Sequence, residues 1–247
     1  MQTFGLIGKT LGHSFSKGYF TDKFSVNNIE AEYKNFELEK IELIQNVIAE
    51  NENLKGFNVT IPYKEAIIPF LDEIDEIAEK IGAVNTVKII REGNKIKLKG
   101  YNTDAFGFKQ SIKPFLANQH ENALILGTGG ASKAVEFVLK EIGINVHFVS
   151  RTEKEGNYLT YEELNEFAIK HFKLIVNCTP LGTYPNIEEK PNLPYSCITE
   201  DHLLYDLIYN PEQTEFLRLG KVKNSLAVNG LSMLKHQAEK AWEIWTS

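Results

Sequence analysis

Short apolar runs alternate with helically spaced apolar residues along most of this chain, and residues 123–152 show the pattern most plainly. Ala123-Leu124-Ile125-Leu126 is unbroken and stops at Gly127-Thr128-Gly129-Gly130, as a strand buried on both faces does. From Ala131 the period turns helical: Ala131, Ala134, Val135, Val138, Leu139 and Ile142 fall at i, i+3, i+4, i+7. Gly143 is placed to end that helix, and Asn145–Val149 is again β-branched and apolar. The stretch predicts a single βαβ unit.

The first half of the chain alternates in the same way. Thr3–Ile7 predicts a strand closed by Gly8, and a helical stretch follows through Tyr19, Phe20 and Phe24. Glu32–Leu38 alternates as a strand does, and Ile41–Ala49 predicts an amphipathic helix. In the next strand Phe57, Val59 and Ile61 share one face while Asn58 and Thr60 share the other. Pro62 ends that strand, so Lys64 is expected at its carboxyl end, opening a helix. Asp72–Lys80 predicts another helix. A strand then starts at Gly82–Val87, and Glu92-Gly93-Asn94 turns it into Ile96–Leu98.

A helix from about Asp104 to Leu116 connects this region to the βαβ unit. Beyond it, Lys173–Cys178 and His202–Tyr209 read as buried strands, with surface loop over residues 183–200. Glu212–Leu219 predicts a helix and Lys221–Val228 holds a short strand. Leu231–Trp245 forms a last helix, with Gln237 beside its apolar face. Two α/β domains with a ligand groove between them are therefore expected.

Composition narrows the class. At 247 residues with 43% hydrophobic and 24% charged residues, the chain is an ordinary globular one. A net charge of −6 without any Lys/Arg block excludes a nucleic-acid footprint. The two cysteines, Cys178 and Cys197, and the six histidines show no metal-ligand spacing, and the cysteine usage suits a reducing compartment. No signal peptide or membrane-length apolar run is present, so a cytoplasmic protein acting on a small molecule is expected.

The glycine turn carries the first candidate chemistry. Gly127, Thr128, Gly129, Gly130 and Ala131 bring bare backbone to a helix N-terminus, where free N–H groups and the dipole favour a phosphate. Ser132 stands where a third glycine is usual and is still small. The second strand ends in Ser150-Arg151-Thr152 rather than in an acid. Arg151 suits a ribose 2′-phosphate, which favours NADP over NAD. Ser14 and Ser16 lie just past the first strand and fit two jobs, capping a helix or holding a carboxylate. Lys64 fits an exposed lysine or a catalytic one. Asp104 fits a first-turn acid or a carboxylate aimed at a ligand.

Together these stretches resemble the shikimate dehydrogenase family along the whole chain. His13-Ser14-Phe15-Ser16 is similar to its H-S-x-S loop, and Gly56–Lys64, G-F-N-V-T-I-P-Y-K, resembles its catalytic-lysine motif. Gly82–Thr86 and Asn102–Asp104 resemble its G-A-x-N-T and N-T-D segments. Gly127–Ser132 resembles its glycine turn, and Asn229–Gln237 its terminal helix. The family often has Asn-Arg-Thr after the second strand and a second basic residue beyond it; here Ser150 replaces the Asn and Glu155 follows Lys154.

The resemblance implies a mixed-sheet substrate domain over 1–101, joined by the terminal helix 231–247, and a Rossmann-like NADP domain over 102–230. It implies NADPH-dependent reduction of 3-dehydroshikimate to shikimate, by a monomer or homodimer. Lys64 and Asp104 would be catalytic, and Ser14 and Ser16 would hold the substrate carboxylate. Asn58, Thr60, Asn85 and Gln237, with Tyr209 close by, would complete the substrate site. Thr179, Leu207, Gly230 and Met233 would join the glycine turn and residues 150–152 at the cofactor. The same residues leave two other readings open. One is a quinate/shikimate dehydrogenase-like relative using NAD or another substrate; the other is a non-catalytic NADP-binding regulatory protein.

Overall fold

The computed structural model describes residues 1–12, 14–93 and 95–247. The chain divides into two compact units, Met1–Thr103 with Ala238–Ser247, and Asp104–Gln237.

The first unit is built on a six-stranded mixed sheet. It contains β1 (Gln2–Gly8), α1 (Phe15–Val26), β2 (Ala31–Glu37), α2 (Ile44–Glu50), β3 (Leu54–Val59), β4 (Glu73–Ile74), α3 (Glu76–Ile81), β5 (Thr86–Glu92) and β6 (Lys95–Tyr101). The strand order is β2-β1-β3-β5-β6-β4. β1 runs parallel to β2 and β3, while β5 pairs antiparallel with both β3 and β6. Strand alternation sends side chains to two cores. Ile7, Phe57, Val59 and Val87 join Ile44 and Ile48 of α2 on one side. Phe4, Leu6 and Tyr33 join Phe20 and Phe24 of α1, with Ala238, Ala241 and Trp245, on the other.

The second unit carries a six-stranded, all-parallel sheet. After α4 (Thr103–Ile112) come β7 (Asn122–Leu126), α5 (Gly130–Glu141), β8 (Asn145–Ser150), β9 (Tyr158–Thr160), α6 (Glu166–His171), β10 (Leu174–Asn177), β11 (Leu203–Asp206), α7 (Glu215–Val222), β12 (Leu226–Val228) and α8 (Leu231–Thr246), which belongs to this unit only as far as Gln237. The order β12-β11-β10-β7-β8-β9, switching direction about β7, is the doubly wound dinucleotide-binding arrangement. Leu124, Leu126, Val149, Ile175 and Leu204 are fully or nearly fully buried, as strands covered on both faces must be.

Three expectations change. β3 ends at Val59, so Ile61 leaves the sheet and is 76% exposed. No α-helix opens at Lys64: residues 61–67 form turns that lead into a 3-10 turn at Ile68–Phe70. Asp72–Lys80 is split, because Glu73–Ile74 adds an edge strand beside β6 before Asp75 caps α3. A run of only two residues is too short for periodicity to announce. The same holds for β9, three residues long, which leads into a 3-10 turn at Tyr161–Glu163. No helix among the described residues is long and apolar enough to cross a membrane.

Candidate active site

In the first unit the candidate substrate residues stand at the carboxyl ends of β1 and β3 and the start of β5. Ser14 caps α1, its hydroxyl oxygen accepting the N–H of Lys17 at 3.2 Å. Capping uses a lone pair and leaves the O–H free to donate, so the two jobs open to Ser14 are compatible. Ser16 follows in the first turn and is half-buried. His13 lies outside the described residues.

Asn58 and Asn85 are buried in a shared polar network. Asn58 faces Thr86 across the antiparallel β3–β5 pair, and its Nδ2 donates to Thr86 Oγ1 at 3.0 Å and to the Asn85 carbonyl at 3.3 Å. Its Oδ1 accepts the hydroxyl of Tyr33 at 2.8 Å. Asn85 Oδ1 accepts the backbone N–H of Thr103 at 2.7 Å and the Thr103 hydroxyl at 3.1 Å. Thr86 Oγ1 lies 3.2 Å from Asn85 Oδ1 and 3.1 Å from Thr103 Oγ1. Tyr33 is stacked on Phe20 with ring centroids 4.8 Å apart. Burial raises its phenol well above the usual range, an effect the Ser16 hydroxyl opposes. Thr60 and Lys64 are half-buried in the segment after β3, and the Lys64 carbonyl accepts the N–H of Val84 at 2.7 Å.

In the second unit Asp104 lies in the first turn of α4 and is 7% exposed. Met233 and Gln237 of α8 close on the same helix at Gly107, where an added Cβ would lie 2.6 Å from the Met233 carbonyl oxygen. α4 thus presents Asp104 one turn from Gln237's contact.

The glycine turn has the form a phosphate requires. Gly127 adopts φ +96°, a conformation that favours glycine. Gly129 precedes α5 with no side-chain cap, and a Cβ added there would meet nothing within 4 Å. Uncapped N–H groups over open space are what a pyrophosphate uses. Ser132 is buried and its hydroxyl donates to the Gly129 carbonyl at 2.6 Å, so the third position is closed by a turn-stabilising bond. Ser150 Oγ accepts the Thr152 N–H at 3.3 Å, shaping the turn that carries the exposed Arg151. Lys154 reaches back to Thr128 Oγ1 at 3.4 Å, placing a second cation at the glycine turn. These features fit a dinucleotide carrying an extra phosphate.

Asp206, at the carboxyl end of β11, was not singled out from the sequence. It is fully buried and accepts from Asn177 Nδ2 at 3.0 Å, the Ile208 N–H at 3.1 Å and Thr214 Oγ1 at 2.6 Å. Asn177 Oδ1 in turn takes both the N–H and the hydroxyl of Thr179, at 3.0 and 2.7 Å. The Leu207 N–H donates to the Asn177 carbonyl, and the Gly230 N–H to the Ile208 carbonyl, each at 3.0 Å. Thr179, Leu207 and Gly230 are therefore held by one buried network. Burial raises the Asp206 carboxyl to about 6, against the lowering effect of its three donors.

A family model described as the shikimate dehydrogenase substrate binding domain matches residues 6–87. A shikimate dehydrogenase (NADP(+)) of Clostridium beijerinckii is 41% identical, over 99% of this chain and 92% of its own. The chain belongs to the shikimate dehydrogenase family. A crystal structure of shikimate dehydrogenase 1 from Peptoclostridium difficile superposes with a TM-score of 0.83 at 42% identity, covering 100% of this chain and 92% of that one. Another, the Thermus thermophilus enzyme in complex with NADP(H) and shikimate, gives 0.85 at 33% identity, with 100% and 94% covered. Both solved relatives share the α/β fold with a substrate domain and a Rossmann-like domain.

Against that family, two groups were invisible to the motif reading. Tyr33, Thr86 and Thr103 hold the amides of Asn58 and Asn85, and Asn177 and Asp206 hold the loop residues. Asp206 did leave a signal, since a carboxylate ending the apolar run Leu203-Leu204-Tyr205 is seldom buried without partners. Among the described residues no cluster of three His, Cys, Asp or Glu is placed to hold a metal ion.

Proposed function

We propose that this chain catalyses the reversible reduction of 3-dehydroshikimate to shikimate with NADPH. The observation that carries the reading is near-full-length identity of about two residues in five to proteins named shikimate dehydrogenase (NADP(+)). The Thermus relative in complex with NADP(H) and shikimate supports it.

In this reading Ser14 and Ser16 donate to the substrate carboxylate. Asn58, Thr60, Asn85, Asp104 and Gln237 bond the ring hydroxyls, and Tyr209 lies near the same ring. When bound, the reduced nicotinamide supplies the hydride that adds to the ring carbonyl carbon. The Lys64 ammonium polarises that carbonyl and passes a proton from Nζ to its oxygen. Asp104 orients Lys64 and bonds the hydroxyl that forms. The free N–H groups after Gly129 take the pyrophosphate, while Arg151 and Lys154 face the 2′-phosphate. Leu207, Gly230 and Met233 line the nicotinamide side.

Purified protein given shikimate and NADP+ should produce reduced nicotinamide, and quinate in its place should produce far less. Faster oxidation of quinate would support the relative with another substrate. A folded protein that binds NADPH and oxidises neither acid would be a regulatory one.

A further inference from the structure

The amides of Asn58 and Asn85 have fixed and opposite orientations, and the partners that fix them decide what a ligand can meet there. A backbone carbonyl only accepts, so the Asn58 atom 3.3 Å from the Asn85 carbonyl is the nitrogen. That nitrogen spends its second proton on Thr86 Oγ1. Asn58 Oδ1 has already taken the Tyr33 hydroxyl, which leaves one acceptor position and no donor. Asn85 is the reverse. A backbone N–H only donates, so the Asn85 atom 2.7 Å from Thr103 N is the oxygen. That oxygen also takes the Thr103 hydroxyl. Among the described residues nothing accepts from Asn85 Nδ2, so its protons remain to donate.

Thr86 is where the two amides meet. Its single hydroxyl is fully buried, accepts from Asn58 and lies within 3.2 Å of both Asn85 Oδ1 and Thr103 Oγ1. A hydroxyl with one proton and two lone pairs transmits direction. Because it accepts from Asn58, its proton points toward the Asn85 and Thr103 side. Rotating either amide would oppose two acceptors or two donors inside a buried network, which is costly.

We infer that Thr86 is a positioning residue that holds Asn58 as an acceptor and Asn85 as a donor, so that this half-site selects a ring carrying a hydroxyl proton at one position and an oxygen acceptor at the other. The inference rests on the proposed function for the ligand's identity, and it deepens that reading by assigning polarity. Thr86 itself touches no ligand in this account.

The test compares the full chain with its Thr86→Val and Thr86→Ser variants. Calorimetric titration with shikimate and with its single-deoxy analogues is combined with steady-state constants for both substrates. Thr86→Val keeps the shape and loses the hydroxyl. It should weaken shikimate binding about tenfold, leave the KM for NADPH within about twofold, and lose discrimination against some deoxy analogues while keeping it against others. Thr86→Ser should restore binding to within about twofold. An unchanged shikimate affinity in Thr86→Val overturns the inference, as does equal weakening for every analogue, which would mean a general loosening of the fold. Unchanged binding in the variant beside normal wild-type turnover refutes the polarity argument alone. A wild-type protein that neither binds nor turns over shikimate refutes the functional reading, and the inference with it.

Discussion

Replacing Asp206 with Asn tests the buried network under the cofactor loops, and its effect depends on pH in a direction that can be worked out. The Asp206 carboxyl is raised from 3.8 to about 6 by complete burial. A rise of about two units corresponds to roughly 3 kcal/mol. The folded pKa lies above the unfolded one, so between about pH 4 and 6 the folded state holds a proton the unfolded state has released. Wild-type stability therefore falls as pH rises through that window and levels off above it. An amide has no such proton and is free of this loss. In the folded state at pH 4.5 the protonated carboxyl presents an O–H where the amide presents an N–H, and the Thr214 hydroxyl can accept from either. Asp206→Asn should thus gain on wild type by roughly 2 kcal/mol between pH 4.5 and pH 8, where the carboxyl must ionise while buried. Urea denaturation followed by circular dichroism at pH 4.5, 6 and 8 reads the gap directly, and the other carboxylates cancel in the comparison. A gap that is the same at all three pH values would refute the burial argument.

The remaining predictions concern the proposed site. Lys64→Ala should lower kcat by orders of magnitude while the affinity for NADPH, measured by fluorescence titration, stays within about threefold; near-normal turnover would remove its proton-donor role. Arg151→Ala should raise the KM for NADPH about tenfold and leave that for NADH nearly unchanged; equal effects on both would sink the 2′-phosphate assignment. Gly230→Ala would set a Cβ 2.1 Å from the Leu207 carbonyl oxygen, a backbone atom that can yield only by moving the loop after β11. It should weaken NADPH binding more than tenfold and lower the melting temperature, and a variant with wild-type values would contradict the packing.

The sequence made the framework readable where one periodicity ran long enough. Ala123–Ile142 changes from an apolar run to a 3.6-residue repeat at its glycines, and β7 and α5 lie there. The Ser14 cap and the Gly143 helix end were equally local in origin. The segment after β3 was not, because what shapes residues 61–67 is bonding to distant strands, such as the Val84 N–H on the Lys64 carbonyl. The supporting residues were hidden for the same reason. Thr86 meets Asn58 only through antiparallel register, and Asp206 meets Asn177 and Thr214 only once β10, β11 and α7 are assembled. Motifs mark groups that face a ligand, whereas the groups that orient them are set by pairing no local pattern encodes.

The most direct test mixes the purified protein with 3-dehydroshikimate and follows the absorbance of NADPH and, in a parallel cuvette, NADH. The account predicts rapid loss of NADPH absorbance, with shikimate formed in equal amount, and much slower loss of NADH. No consumption of either nucleotide by a folded protein that binds NADPH would contradict it.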